Sequence, residues 1–189
     1  MPIISPTTIL QVSTLALLLA VAVGTDARWR RIPNRLIWVG IAAALVMHSV
    51  GLVLETGSLA GAMWWSPLAG LAAGFGLLLP LYLLRAMGAG DVKLMAMVGA
   101  FVGASAVLTA TLYTFLAGGL LALLFMLGRG VAAQTLTNLR FMLTSWGIRA
   151  VTGLGMRLEA PLQTTAARLP YALAIALGTG AGLIWPLGF

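Results

Sequence analysis

The sequence has no cysteine, a single histidine and few charged residues. The missing cysteines exclude disulfide frameworks, thiol nucleophiles and Cys-ligated zinc. One histidine, His48, leaves too few ligands for a metal site, so neither a metal nor another cofactor is expected. Charged residues form only 8% of the chain, whereas a soluble domain carries about a quarter. So few charges could not cover a water-facing surface, which excludes a soluble globular protein.

Hydrophobic residues make up 61% of the 189 residues and lie in long uncharged blocks. A helix needs roughly 20 apolar residues to cross a bilayer. The blocks of about this length are 6–24, 36–54, 67–84 and 169–187. A further block, 94–128, is too long for one span, and Gly103-Ala104-Ser105 predicts a turn within it. The sequence therefore predicts an all-α polytopic membrane protein of about six transmembrane helices, forming a single domain over residues 1–189.

The positive charges indicate the orientation of these spans. The chain has 11 Lys and Arg residues against 4 acids. With six spans, all the cations fall in or beside the loops of one side, about 25–35, 85–91 and 129–168, and Glu55 lies on the other side. The positive-inside rule assigns the first side to the cytoplasm and both termini to the outside. Because the cations do not form one basic face, no nucleic-acid partner is expected.

Two acids fall at the same predicted depth. Asp26 lies where the first helix reaches the cytoplasmic surface, and Asp91 opens the fourth helix directly after Gly90. Ionisable residues in a membrane protein are costly and usually face a polar interior. Two adjoining carboxylates share a proton, and such a pair can activate a water against an amide, because one accepts a proton while the other donates to the carbonyl oxygen.

Simpler roles compete with this interpretation. An aspartate at a helix start commonly caps the helix, and Asp26 beside Arg28 and Arg30 could form a juxtamembrane ion pair. Position alone favours these structural roles. His48, in the middle of the second span, is expected to make a helix–helix hydrogen bond.

The surrounding residues change this balance. Gly88-Ala89-Gly90-Asp91-Val92-Lys93-Leu94 resembles the GxGD motif of intramembrane aspartyl proteases, and most closely that of the type IV prepilin peptidases. Asp26, six residues before Ile32-Pro33-Asn34, is similar to that family's first catalytic-aspartate region. Leu169-Pro170-Tyr171-Ala172 is a weaker likeness. The resemblance implies a GxGD aspartyl protease-like fold with Asp26 and Asp91 as catalytic residues. Its supporting residues would be Gly88, Gly90, Lys93, Pro33 and Asn34, and Asn34 is also expected to cap the second helix.

The resemblance also implies a substrate and a location. The protein would be a multi-pass enzyme of the cytoplasmic (inner) membrane that cleaves the basic leader of a pilin-like precursor after a glycine, at the cytoplasmic face. Its partners would be the prepilin, the lipid bilayer and pilus or secretion machinery. Larger family members carry a Cys-rich loop associated with N-methylation, and this chain has no cysteine. It therefore resembles the short, peptidase-only branch that serves tight-adherence (Flp) pili.

Two other functions remain open at this point. The aspartates could bind ions or relay protons in a transporter or channel component, although both lie at the membrane rim, whereas transport sites usually lie at the midplane. The protein could also be a catalytically silent platform for secretion assembly. The acid and base roles are open as well, because the helix dipole at Asp91 favours that residue as the base while the arginines near Asp26 oppose this assignment.

Overall fold

The computed structural model describes residues 5–84, 87–128 and 171–187. Helices form 83% of these residues, and none of them lies in a strand. The helices are α1 (Pro6–Trp29), α2 (Asn34–Val53), α3 (Ser66–Leu83), α4 (Ala89–Gly128) and α5 (Tyr171–Ile184). The first four are long and apolar enough to cross a membrane, and α5 is a shorter apolar helix. The predicted all-α, polytopic membrane fold is confirmed, whereas the segment 129–168 lies outside the described residues.

Helix α4 is broken at Gly103. This residue has φ 83° and ψ 174°, a backbone conformation that glycine adopts without strain. The contacts of Tyr171 show that the chain reverses there, because Tyr171 lies within electrostatic reach of Asp91 and its hydroxyl lies against Gly118. A straight helix would separate Asp91 from Gly118 by about 40 Å. The predicted turn at 103–105 is therefore confirmed, and α4 supplies two antiparallel segments, the second beginning at residue 104.

Glycines bring the neighbouring helices into backbone contact. In α3, Gly70 lies against Gly99 and Gly74 lies against Met95, so α3 runs antiparallel to the first segment of α4. In α5, Gly178 lies against Thr114 and Gly182 against Ala110, so α5 runs antiparallel to the second segment. A Cβ at Gly70, Gly74 or Gly178 would overlap the facing backbone. Small residues at such interfaces allow the close van der Waals packing that stabilises helix pairs in lipid.

The first segment of α4 forms the centre of the core. Every residue from 94 to 103 is buried, on all sides of the helix. In contrast, α1 and α2 expose large apolar side chains such as Leu17 and Val39. Exposed tryptophans lie near both ends of the helices: Trp29 and Trp38 at one end, Trp64, Trp65 and Trp185 at the other. An apolar exterior with aromatic residues at both ends is typical of a protein that spans a bilayer.

The chain divides into two compact units. The first comprises residues 1–118 and 170–189, and the second comprises 119–169. Of the second unit, the structure describes the last turns of α4, residues 119–128, which are apolar and helical. The single domain expected over 1–189 stays a prediction.

A polar network occupies one end of the first unit, here called the histidine end and defined by Gln11, His48 and the loop 54–65. His48 is buried, with Nδ1 2.7 Å from the Ser58 hydroxyl and Nε2 3.0 Å from the Met63 carbonyl oxygen. Gln11 accepts a hydrogen bond from the Leu59 amide at 2.9 Å. The expected helix–helix bond of His48 is therefore wrong, because the loop after α2 folds back over the helix and contributes both partners.

Candidate active site

The two aspartates lie at the opposite end of the bundle, here called the aspartate end. Asp26 is in the last turns of α1 and Asp91 is in the first turn of α4. Both are partly buried, and they are close enough for their charges to interact. The sequence predicted that two residues 65 positions apart would share one depth, and the structure brings them together at one end.

Asp91 is held by the start of its own helix. Its Oδ2 accepts a hydrogen bond from the Gly88 amide at 3.3 Å, and the amides of Asp91 and Val92 in turn donate to the Gly88 carbonyl oxygen. An acidic side chain that reaches back to the residue before the helix is one half of a capping box. Asp91 therefore does have the structural role that its position suggests. This role orients one carboxylate oxygen and is compatible with chemistry at the other.

Asp26 is held by a different helix. Its Oδ2 accepts a hydrogen bond from the Ala172 amide at 3.3 Å, in the first turn of α5. Helix N-termini carry unsatisfied N–H groups and a partial positive charge. Sequence reasoning placed Asp26 only at the end of α1 and missed this contact. The weak likeness at Leu169-Pro170-Tyr171-Ala172 was the one signal that pointed to it.

The two aspartate-bearing motifs are joined directly. Lys93 Nζ donates to Asn34 Oδ1 at 3.1 Å, and Gly90 lies against Ile32, whose Cβ is 3.4 Å from the position of an added Cβ. Asn34 does not cap α2 as expected. Pro33 occupies the position before the helix without a side-chain bond, and α2 begins at Asn34, whose side chain binds Lys93 instead. The supporting residues named from the sequence thus link the α1–α2 loop to the start of α4.

Tyr171 and Arg28 also lie at the aspartate end. The Tyr171 ring is partly buried, lies within electrostatic reach of Asp91 and has its hydroxyl against Gly118. Exposed arginines lie near Asp26 in the chain, from the end of α1 to the start of α2, and the guanidinium of Arg28 lies 5.6 Å from the centre of the Trp29 ring. Within the described ranges, no three His, Asp or Glu residues come together as a metal site would require. A mechanism without a cofactor stays a prediction.

Apolar helices around a buried central segment, with two interacting carboxylates at one end, define a polytopic membrane protein with a candidate acid–base site. The type IV leader peptidase family matches residues 13–123, and the chain belongs to that family. The protein is accordingly a membrane protease, with prepilin-like proteins as the substrate class of its family. No curated protein and no solved structure matches the chain. The matched residues include both aspartate motifs but not α5.

Proposed function

We propose that the protein is an aspartyl prepilin peptidase that uses Asp26 and Asp91. It would cleave the basic leader of a pilin-like precursor after a glycine, at the cytoplasmic face of the inner membrane, and would not methylate the product. The interaction of the two carboxylates at one end of the helices carries this proposal. Membership of the leader peptidase family supports it, because the family supplies the reaction and the site supplies residues that can perform it.

The reaction needs one ionised and one protonated carboxyl group. The ionised group removes a proton from a water molecule, and the water oxygen bonds to the carbonyl carbon of the scissile amide. The protonated group donates to the carbonyl oxygen, which carries the developing negative charge. Collapse of the tetrahedral intermediate breaks the C–N bond, and the leaving nitrogen receives a proton from the pair. Neighbouring carboxylates favour the singly protonated state that begins this cycle.

Replacing each aspartate by asparagine separates catalysis from helix capping. Asp26→Asn and Asp91→Asn keep the side-chain size and a hydrogen-bond acceptor but cannot exchange a proton in the required way. Each purified variant should fail to cleave a prepilin with a basic leader, while inserting and accumulating normally. Glu55→Gln, an exposed carboxylate replaced at the histidine end, should cleave as the unaltered protein does.

A capping role alone gives a different result. Asparagine keeps a side-chain oxygen that can accept the same hydrogen bond from the Gly88 amide, so a purely structural Asp91 would leave Asp91→Asn active. That outcome would refute the two-aspartate mechanism and favour the silent platform. Proton-coupled flux in liposomes without prepilin cleavage would favour the transporter instead. Mass spectrometry of the mature pilin from the same assay should show an unmodified N-terminal amine, and a methylated product would refute the peptidase-only assignment.

The proposed orientation has its own test, because a chain without cysteine accepts single-cysteine labels cleanly. Glu55→Cys and Arg31→Cys place thiols at exposed positions of the two ends. In intact cells an impermeant maleimide should label only Glu55→Cys, and Arg31→Cys should react only after the inner membrane is opened. The reverse pattern would place the aspartates outside the cytoplasm and contradict the proposal.

A further inference from the structure

The start of α5 binds Asp26 and lies near Asp91, although it lies outside the residues that match the family. The Ala172 amide donates to Asp26, and the neighbouring Tyr171 lies within electrostatic reach of Asp91. The residues concerned come from three separate parts of the chain, 26, 91 and 171–172.

Gly118 lies against the Tyr171 side chain at the start of α5. A Cβ on Gly118 would be 3.0 Å from the Tyr171 hydroxyl oxygen and 3.2 Å from the ring carbon that bears it. Both distances are tighter than ordinary van der Waals contact, so a Cβ at residue 118 requires the Tyr171 ring to shift by a few tenths of an ångström. Tyr171 directly precedes Ala172, so one residue of backbone links this ring to the amide that binds Asp26.

We propose that the first turn of α5 is a third component of the active site, in which the Ala172 amide orients the Asp26 carboxylate and Gly118 and Tyr171 are positioning residues for that amide. The physical reason is that proton transfer depends on carboxylate geometry within a fraction of an ångström. The Ala172 N–H belongs to the first turn of its helix, where donors lack an intrahelical partner. The hydrogen bond to Asp26 therefore does two things: it gives the buried Ala172 N–H an acceptor, and it orients the Asp26 carboxylate.

Two adjacent glycines provide a matched test. Gly118→Ala introduces the contact with Tyr171, whereas a Cβ at Gly119 meets nothing within 4 Å. Both changes raise helix propensity equally. We expect Gly118→Ala to lower kcat roughly tenfold or more with KM unchanged, and Gly119→Ala to have no effect. Adding Tyr171→Phe, which removes the hydroxyl, should restore part of the kcat of Gly118→Ala. Equal kcat values for the two alanine variants would overturn the proposal.

The donor itself can be removed without changing any side chain. Replacing residue 172 by its α-hydroxy analogue converts the amide into an ester and deletes the N–H. We expect kcat to fall roughly tenfold with KM unchanged, because a hydrogen bond to a charged group is lost. The same replacement at Leu173, also in the first turn, should change kcat less than twofold. An unchanged kcat at residue 172, or an equal loss at residue 173, would overturn the proposal.

The inference rests on the proposed function for its kinetic tests, so one measurement is independent of cleavage. Hydrogen exchange of the Ala172 amide in detergent micelles should become at least about fivefold faster in Asp26→Ala, because opening of that bond no longer limits exchange. Asp91→Ala should leave this rate unchanged. An unaltered rate in Asp26→Ala would refute the positioning contact, whereas a protein that shows the exchange effect but cleaves no prepilin would refute only the proposed function.

Discussion

The two ends of the helical unit each hold a group of polar side chains, buried at the histidine end and partly buried at the aspartate end, and they differ in how their hydrogen bonds are satisfied. At the histidine end, Gln11, His48 and Ser58 bind one another and the loop backbone, and each donor meets an acceptor. At the aspartate end, two groups of like charge lie near each other, held by single amide bonds to Gly88 and Ala172. A network in which donors meet acceptors stabilises a fold, whereas two neighbouring carboxylates cost free energy and are suited to proton transfer.

The largest expected effect concerns the aspartate end. The double variant Asp26→Asn/Asp91→Asn should lose cleavage by at least about 10³-fold and be no worse than either single variant, because residues that act as a unit are not additive. Initial rates of prepilin cleavage at saturating substrate measure this. Losses that multiply in the double variant would show that the aspartates act independently.

The histidine end should show the opposite pattern, with stability lost and chemistry kept. His48→Ala removes the two hydrogen bonds of the buried imidazole, to the Ser58 hydroxyl and the Met63 carbonyl oxygen, each of which contributes about 1 kcal/mol. Thermal unfolding in detergent should show the loss, while kcat of the folded fraction stays unchanged. Ser49→Ala, which removes an exposed hydroxyl bonded within α2, is the control and should be nearly neutral. A normal melting temperature but a reduced kcat for His48→Ala would contradict the comparison.

The contact between the α1–α2 loop and the start of α4, at Ile32 and Gly90, can be tested by a disulfide. The Cβ of Ile32 lies 3.4 Å from the position of a Cβ on Gly90, close to the separation found in disulfides. Ile32→Cys/Gly90→Cys should therefore oxidise to an internal disulfide, seen as protection from a maleimide and as the mass change of oxidation. Ile32→Cys/Gly24→Cys is the control, since a Cβ at Gly24 meets nothing within 4 Å. Rapid oxidation of the control, or none of the Gly90 pair, would contradict the packing of the loop on α4.

The smallest effect is expected from the exposed hydrogen bond between Lys93 and Asn34. Lys93→Met should lower stability by about 1 kcal/mol and kcat by a few-fold, because the bond is single and open to solvent. Asn34→Ala should behave in the same way, and the double variant should add little to either, as expected for one shared contact. Fully additive losses would show that the two side chains act separately.

Local patterns in the sequence predicted much of the fold. Uncharged blocks predicted the helices, and Gly103 predicted the break in α4, where the structure has φ 83°. The expectations for His48 and Asn34 were wrong in opposite ways. His48 was expected to bind another helix, and it binds the loop that follows its own helix. Asn34 was expected to cap its own helix, and it binds Lys93, 59 residues away in the chain.

The sequence by itself determined that this is a membrane protein, where its helices lie and which two motifs carry the acids, because these features depend on composition and on spacing over a few residues. Only the tertiary structure decided how the acids are held. Lys93 and Asn34 are 59 residues apart, and Asp26 and Ala172 are 146 residues apart. No local periodicity records such contacts, since they form only when segments distant in sequence pack together, as where an amide in the first turn of α5 meets the carboxylate of Asp26 on α1.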